Sequence, residues 1–124
     1  MAAILVIDDE DLVVLMLKRL LEKAGHQVTT ASNGNLGLKA FQEHNPDLVV
    51  TDLIMPEKEG IETIMELRQI QPDIKIIAIS GGGGYGKPED YLPVAKGLGA
   101  DRVFSKPFDE QEFLSAIEQL TTLS

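Results

Sequence analysis

Three observations predict an α/β three-layer sandwich on a flavodoxin-like, five-stranded parallel sheet of strand order 2-1-3-4-5. Short apolar runs alternate five times with longer segments of helical period, the βα pattern of a parallel sheet covered on both faces. The runs inside Ala3–Ile7, Leu48–Asp52 and Lys75–Ser80 are continuously apolar, as central strands buried on both faces must be. Gln27–Ala31 alternates instead and reads as an edge strand. With the first strand inside and the second outside, the ligand crevice of such a sheet lies at the carboxyl ends of strands 1 and 3.

The elements follow in order. Ala3–Ile7 leads to a helix over residues 12–24, Gln27–Ala31 to one over 35–43, and Leu48–Asp52 to one over 61–71. Lys75–Ser80 leads to a fourth helix over 88–98, and the fifth strand, Arg102–Ser105, to a fifth helix over 110–123. Gly25, Gly97 and Gly99 sit where helices should stop, while Asp11, Asn33 and Asp109 sit where they should start. Asp109 with Glu112 fits a capping box. Leu12, Met16, Leu20 and Ala24, like Phe113, Ile117 and Leu120, recur at helical spacing and read as core. His26 and His44 fall near helix carboxyl ends, where partial positive charge is welcome, and neither has ligand spacing to a second histidine.

At 124 residues, 44% of them hydrophobic, residues 1–124 fit one domain with a buried core, leaving no room for an effector domain. A formal charge of −9 and a pI near 4.6 would repel nucleic acid and anionic lipid, so protein partners are expected. The absence of cysteine excludes a disulfide framework, a thiolate nucleophile and Cys-ligated zinc. The apolar start lacks a basic leader and meets an acidic run at once, and no apolar stretch approaches the roughly 20 residues of a membrane span. The expected location is cytoplasmic.

If the runs are parallel strands, Asp8, Asp9, Asp52, Ser80 and Lys106 all converge on one sheet edge. Carboxylates gathered at one point repel each other, so one would stay protonated unless a cation neutralises the group. Oxygen ligands in an incomplete cage suit Mg2+, which keeps waters and takes phosphate oxygens. Asp52 can then act as a nucleophile toward phosphorus, with Lys106 and Ser80 placing a cation and a hydroxyl where charge builds on the transferred oxygens.

With Asp8-Asp9-Glu10, Asp52 followed by Met55-Pro56 and Gly60, Ser80-Gly81, Gly99-Ala100-Asp101 and Lys106-Pro107-Phe108 in this order, the chain resembles the receiver domains of two-component response regulators over essentially its whole length. The resemblance implies that Asp52 accepts a phosphoryl group from a histidine kinase or histidine phosphotransfer protein, and the length leads us to expect a receiver that stands alone, or else one domain of a longer regulator. The resemblance further implies that Asp9 and Asp52 bind Mg2+ directly with the Ile54 carbonyl, Asp8 acting partly through water. Lys106 and Ser80 would contact the phosphoryl oxygens. The face made by the fourth helix, fifth strand and fifth helix would then shift its population and control a downstream protein, as a monomer or a phosphorylation-dependent dimer.

Two features depart from the family pattern. Val103 stands three positions before the lysine, where the family usually carries the Tyr or Phe of a rotamer switch. Phe104 is off by one and by strand alternation should face the other side of the sheet. Residues 81–86, Gly-Gly-Gly-Gly-Tyr-Gly, form a loop expected to order only on phosphorylation or partner binding.

Rival readings are weaker. Residues 81–87 nearly match a P-loop, but Pro88 replaces its Ser or Thr and Glu89 and Asp90 would repel phosphate. Asp9-x-Asp11 matches the nucleophile motif of haloacid dehalogenase-like phosphatases, an assignment that leaves Asp52 without a role. A receiver-like module that binds its partner regardless of phosphorylation is the non-enzymatic alternative.

Overall fold

The computed structural model describes residues 2–53, 60–80, 93, 96–97, 99–105 and 108–122, with Ser80 and Thr122 described by their backbone alone. The strands are β1 (Ala3–Ile7), β2 (Gln27–Ala31), β3 (Leu48–Asp52), β4 (Lys75–Ser80) and β5 (Arg102–Ser105). The helices are α1 (Asp11–Lys23), α2 (Gly34–His44), α3 (Gly60–Ile70) and a last helix, Glu110–Thr122. Pro93, Lys96 and Gly97 are helical as well, within the helix expected between β4 and β5, whose remaining residues lie outside the described residues. All strand pairs are parallel and the order is β2-β1-β3-β4-β5, as the apolar patterning predicts.

Side-chain alternation along the strands divides the core in two. Leu5, Ile7, Val49, Ile76 and Ala78 face Phe41 of α2 and Ile64 and Leu67 of α3. Ile4, Val6, Val50, Ile77, Ile79 and Phe104 face Leu17 and Leu21 of α1 and Phe113 and Ile117 of the last helix. Each fully buried Leu, Ile or Phe contributes about 1.5–3 kcal/mol. A one-residue slip of any strand would exchange its two faces, so the register is strongly specified. Val103 packs, half-buried, against the first core and Phe104 belongs to the second, on opposite sides as alternation requires. Phe104 is fixed there by Phe113 and Phe108, with ring centroids 5.6 and 5.8 Å away.

The helix ends show which local signals act. Asn33 accepts from the Leu36 N–H at 2.8 Å, and Asp109 accepts from the N–H groups of Gln111 and Glu112 at 2.7 and 3.1 Å. Asp11 does not cap α1. Glu10 occupies the cap position without a side-chain capping bond to the helix, and Asp11 is the first helical residue, where its charge complements the helix dipole. Gly97 is helical, and the following turn closes at Gly99, which has φ +104° and an N–H bonded to the Lys96 carbonyl at 3.0 Å.

The apolar stripe expected on α1 is corrected. Leu17 and Leu21 are fully buried, but Leu12 is 81% exposed and Met16 42%. Residues 12–17 are all apolar, so helical spacing admits more than one stripe, and contact with the sheet selects Val13, Leu17, Leu20 and Leu21.

At the amino edge of the sheet, Arg68 of α3 donates to the carbonyls of Pro72, Ile74 and Gly99 and lies 3.3 Å from the Asp101 carboxylate. Asp101 in turn accepts from the Ile76 N–H at 2.8 Å. One guanidinium thereby joins the end of α3, the start of β4 and the turn entering β5.

His26 departs from its expected role, because its Nδ1 accepts from the Ala2 N–H at 3.1 Å, a bond that only the unprotonated nitrogen can make. Burial, then the positive amino terminus, lowers its pKa from the usual 6.5, against an opposing pull from Glu118. A depressed pKa means the contribution of His26 is present above about pH 6.5 and is lost as pH falls below it. Urea midpoints measured from pH 8 to 5 should therefore fall more steeply for the wild type than for His26→Asn, and parallel profiles would contradict this assignment.

Candidate functional site

Asp8 directly follows β1 and Asp52 closes β3, and the two strands are hydrogen-bonded neighbours with Ile7 opposite Thr51. The register therefore delivers both carboxylates to the carboxyl edge of the sheet. Both are buried, Asp8 at 1% exposure and Asp52 at 4%. The Asp8 N–H is bonded to the Ala31 carbonyl at 3.1 Å, and its Oδ1 accepts from the Glu10 N–H at 2.9 Å. That second bond closes a turn which brings residue 10 back beside residue 8. Carboxylate oxygens of Asp8, Glu10 and Asp52 consequently lie within 4.8 Å of one another.

Glu10 is the residue that sequence reasoning did not single out as part of this site. The signal for it was present, since an Asp accepting from the N–H two residues on is a recurrent turn that places positions 8 and 10 on one side. Asp9 lies between them, is exposed, and stands outside the group of three. Ser80 closes β4 at the same edge, opposite Ser105 of β5. Lys106 and Ile54 lie outside the described residues.

Two unit negative charges at this spacing repel by roughly 3 kcal/mol at an effective dielectric near 20. Hydrogen bonds to the carboxylates offset part of that, and a bound cation offsets more. The donors are all hard oxygens, two of them on buried side chains, which suits a divalent ion of the Mg2+ type. Softer metals would call for the sulfur or imidazole ligands that this group lacks.

The peptide that carries Asp52 is closely packed. A Cβ placed on Gly60, the first residue of α3, would come 1.9 Å from the Asp52 carbonyl oxygen and 2.7 Å from the Leu53 Cα. The Gly60 N–H bonds to the Leu53 carbonyl at 2.9 Å, and the Leu53 N–H to the Ile79 carbonyl of β4 at 2.9 Å. Beside Asp8, a cavity of about 430 Å³ opens between α1, β2 and α2, with Asp11, Leu36, Lys39 and Glu43 in its wall.

Residues 4–118 match the response regulator receiver domain. The chain belongs to that family, the receiver domains of two-component signalling. It is 36% identical over 118 residues to the alkaline phosphatase synthesis transcriptional regulatory protein PhoP of Bacillus subtilis, covering 94% of this chain and 47% of that protein. Against the chemotaxis protein CheY of the same organism it is 35% identical over 117 residues, 94% of either chain. It thus spans about half of one relative and nearly all of the other. The response regulator protein TrrA of Thermotoga maritima, solved in complex with Mg(2+)-BeF, superposes with a TM-score of 0.84 at 34% identity, over 97% of this chain and 99% of that one. Among the described residues no helix is long and apolar enough to cross a membrane.

Gly60→Ala puts a methyl group where the Asp52 carbonyl stands, and overpacking of this kind costs about 1–3 kcal/mol. The variant should lose that much in urea denaturation and should bind divalent cation more weakly in a calorimetric titration. An unchanged midpoint with unchanged binding would show that the carbonyl does not depend on this close approach.

Proposed function

We propose that this chain is a Mg2+-dependent phosphoacceptor whose nucleophile is Asp52. One observation carries the reading: Asp52 is a buried carboxylate at the end of a central strand, within 4.8 Å of two further carboxylates. An Asp52 oxygen attacks the phosphorus of a phosphohistidine, the P–N bond breaks, and the imidazole leaves with its bonding electron pair and takes up a proton. Asp9 and Asp52, with the Ile54 carbonyl and with Asp8 partly through water, would hold the ion, and Glu10 stands close enough to add a further oxygen. Bound there, Mg2+ supplies positive charge to the oxygens of the transferred group. Lys106 and Ser80 supply a second cation and a hydroxyl to the same oxygens.

The rival nucleophile, Asp9, has less support, being exposed and outside the group of three carboxylates. TrrA, solved in complex with Mg(2+)-BeF, supports the reading that this chain binds Mg2+. A histidine kinase or histidine phosphotransfer protein is the expected donor. The expected readout is a population shift of the face formed by residues 88–98, β5 and the last helix, acting on a downstream protein. Because Phe104 is held in a ring cluster and Val103 has no ring, that readout proceeds without an aromatic swing on β5.

The first two turns of α1 expose Leu12, Leu15 and Met16 directly after the acidic residues of the site. A protein that brings a phosphohistidine to Asp52 passes over this surface, and burying Leu12 against it would stabilise the encounter.

Intact-mass measurement after incubation with acetyl phosphate should show one Mg2+-dependent phosphoryl adduct. It should be absent from Asp52→Asn and absent after chelation of the metal. An adduct retained by Asp52→Asn would transfer the nucleophile to another residue, and no adduct on folded wild type would favour the phosphorylation-independent module. Leu12→Ser should leave the acetyl phosphate reaction unchanged while weakening the donor protein's KM by an amount on the order of 1–2 kcal/mol. Equal rates from the protein donor would remove α1 from the docking surface.

A further inference from the structure

Thr51 stands immediately before Asp52 and is fully buried. By alternation it shares a face with Val49, and its register partners Ile7 and Ala78 both belong to the core under α2 and α3. A valine has nearly the same shape and would sit among these groups with no polar atom to satisfy. A hydroxyl there must find a partner or be costly, so what it bonds to is informative. Thr51 Oγ1 donates to the carbonyl oxygen of Asp52 at 3.1 Å.

That carbonyl lies where the ladder ends. Successive residues of a strand direct their backbone groups to opposite neighbours, and the Leu53 N–H reaches β4 at Ile79. The Asp52 carbonyl therefore points toward the β1 side, where the β1–β3 register stops at Ile7 opposite Thr51. On its other flank stands Gly60, which offers close contact and no directional bond. The Thr51 hydroxyl adds a side-chain tie to this peptide, beside the backbone bond of Leu53 to Ile79.

We propose that Thr51 is a positioning residue for Asp52: its hydroxyl holds the Asp52–Leu53 peptide so that the Asp52 carboxylate stays aligned with Asp8. This inference rests on the reading of Asp52 as phosphoacceptor. If the tie is lost, the peptide keeps its Leu53–Ile79 bond but gains freedom about it, and a turn there moves the Asp52 carboxylate relative to an Asp8 that is anchored independently by Ala31 and Glu10.

Thr51→Val removes the hydroxyl at constant shape, and Thr51→Ser keeps the hydroxyl at reduced volume. Two readouts are taken on each: hydrogen exchange of the Leu53 amide, and the rate of adduct formation with acetyl phosphate across a Mg2+ titration. In Thr51→Val the Leu53 amide should exchange faster. At saturating Mg2+ the adduct rate should fall about tenfold and the half-saturating Mg2+ concentration should rise, while Thr51→Ser stays within about twofold of wild type. Wild-type exchange and rate in Thr51→Val would overturn the proposal, as would equal slowing in Thr51→Ser, which would assign the effect to packing. The wild-type adduct, run in parallel, tests the phosphoacceptor reading separately; if it fails to form, the Leu53 exchange comparison alone decides whether Thr51 holds the peptide.

Discussion

Like charges brought together out of water are the constraint on which the rest of this molecule turns. Asp8 and Asp52 are both nearly inaccessible, yet their oxygens lie within 4.8 Å of each other and of Glu10. Nothing in a carboxylate pair favours that arrangement by itself. It exists because the pairing of β1 with β3 is fixed along four residue pairs, from Ile4 with Leu48 to Ile7 with Thr51, and leaves the two side chains nowhere else to go. The ladder and the apolar side chains around it supply the free energy that the charges oppose. The acidic edge is thus a store of electrostatic repulsion, relieved when positive charge arrives.

The two cores share this task unequally. The one under α2 and α3 backs the peptide that carries Asp52, through Leu53, Ile64 and the close approach of Gly60. The one under α1 and the last helix is built on larger rings, with Phe104, Phe108 and Phe113 in mutual contact. At the opposite edge the guanidinium of Arg68 fastens three chain segments with carbonyl and carboxylate partners. A lysine could not reproduce this, since a single ammonium lacks the planar fork that reaches several acceptors at once. The functional edge holds repelling charges, and the opposite edge holds attracting ones.

All five strands, with their bounds and order, were legible in the sequence, because apolar runs covered on both faces leave few other solutions. The described helices begin and end within about one residue of their periodic segments. Side-chain orientation on α1 was less legible: six consecutive apolar residues hold no single 3.6-residue phase, and only contact with the sheet decides that Leu17 turns inward and Leu12 outward. Glu10 escaped notice for a related reason, since a neighbour-by-neighbour reading favours Asp8 and Asp9 as the pair. The turn closed by the Asp8 side chain is what returns position 10 to the site. His26 was legible as a helix-end residue but not as an acceptor, because the Ala2 N–H that reaches it lies 24 residues away in sequence, just before β1.

The exposed apolar stripe of α1 sits on a chain whose formal charge is −9. An exposed Leu12 would be an adhesive surface on a neutral protein, but two copies of this one repel before their leucines meet. Field lines of that strength reach about 8–10 Å at ordinary ionic strength and contract as salt is added. The net charge therefore works as a filter on what the stripe can touch: it admits basic surfaces and turns away its own kind. Salt should weaken that filter in both directions at once, loosening a basic partner while letting copies of the chain approach each other.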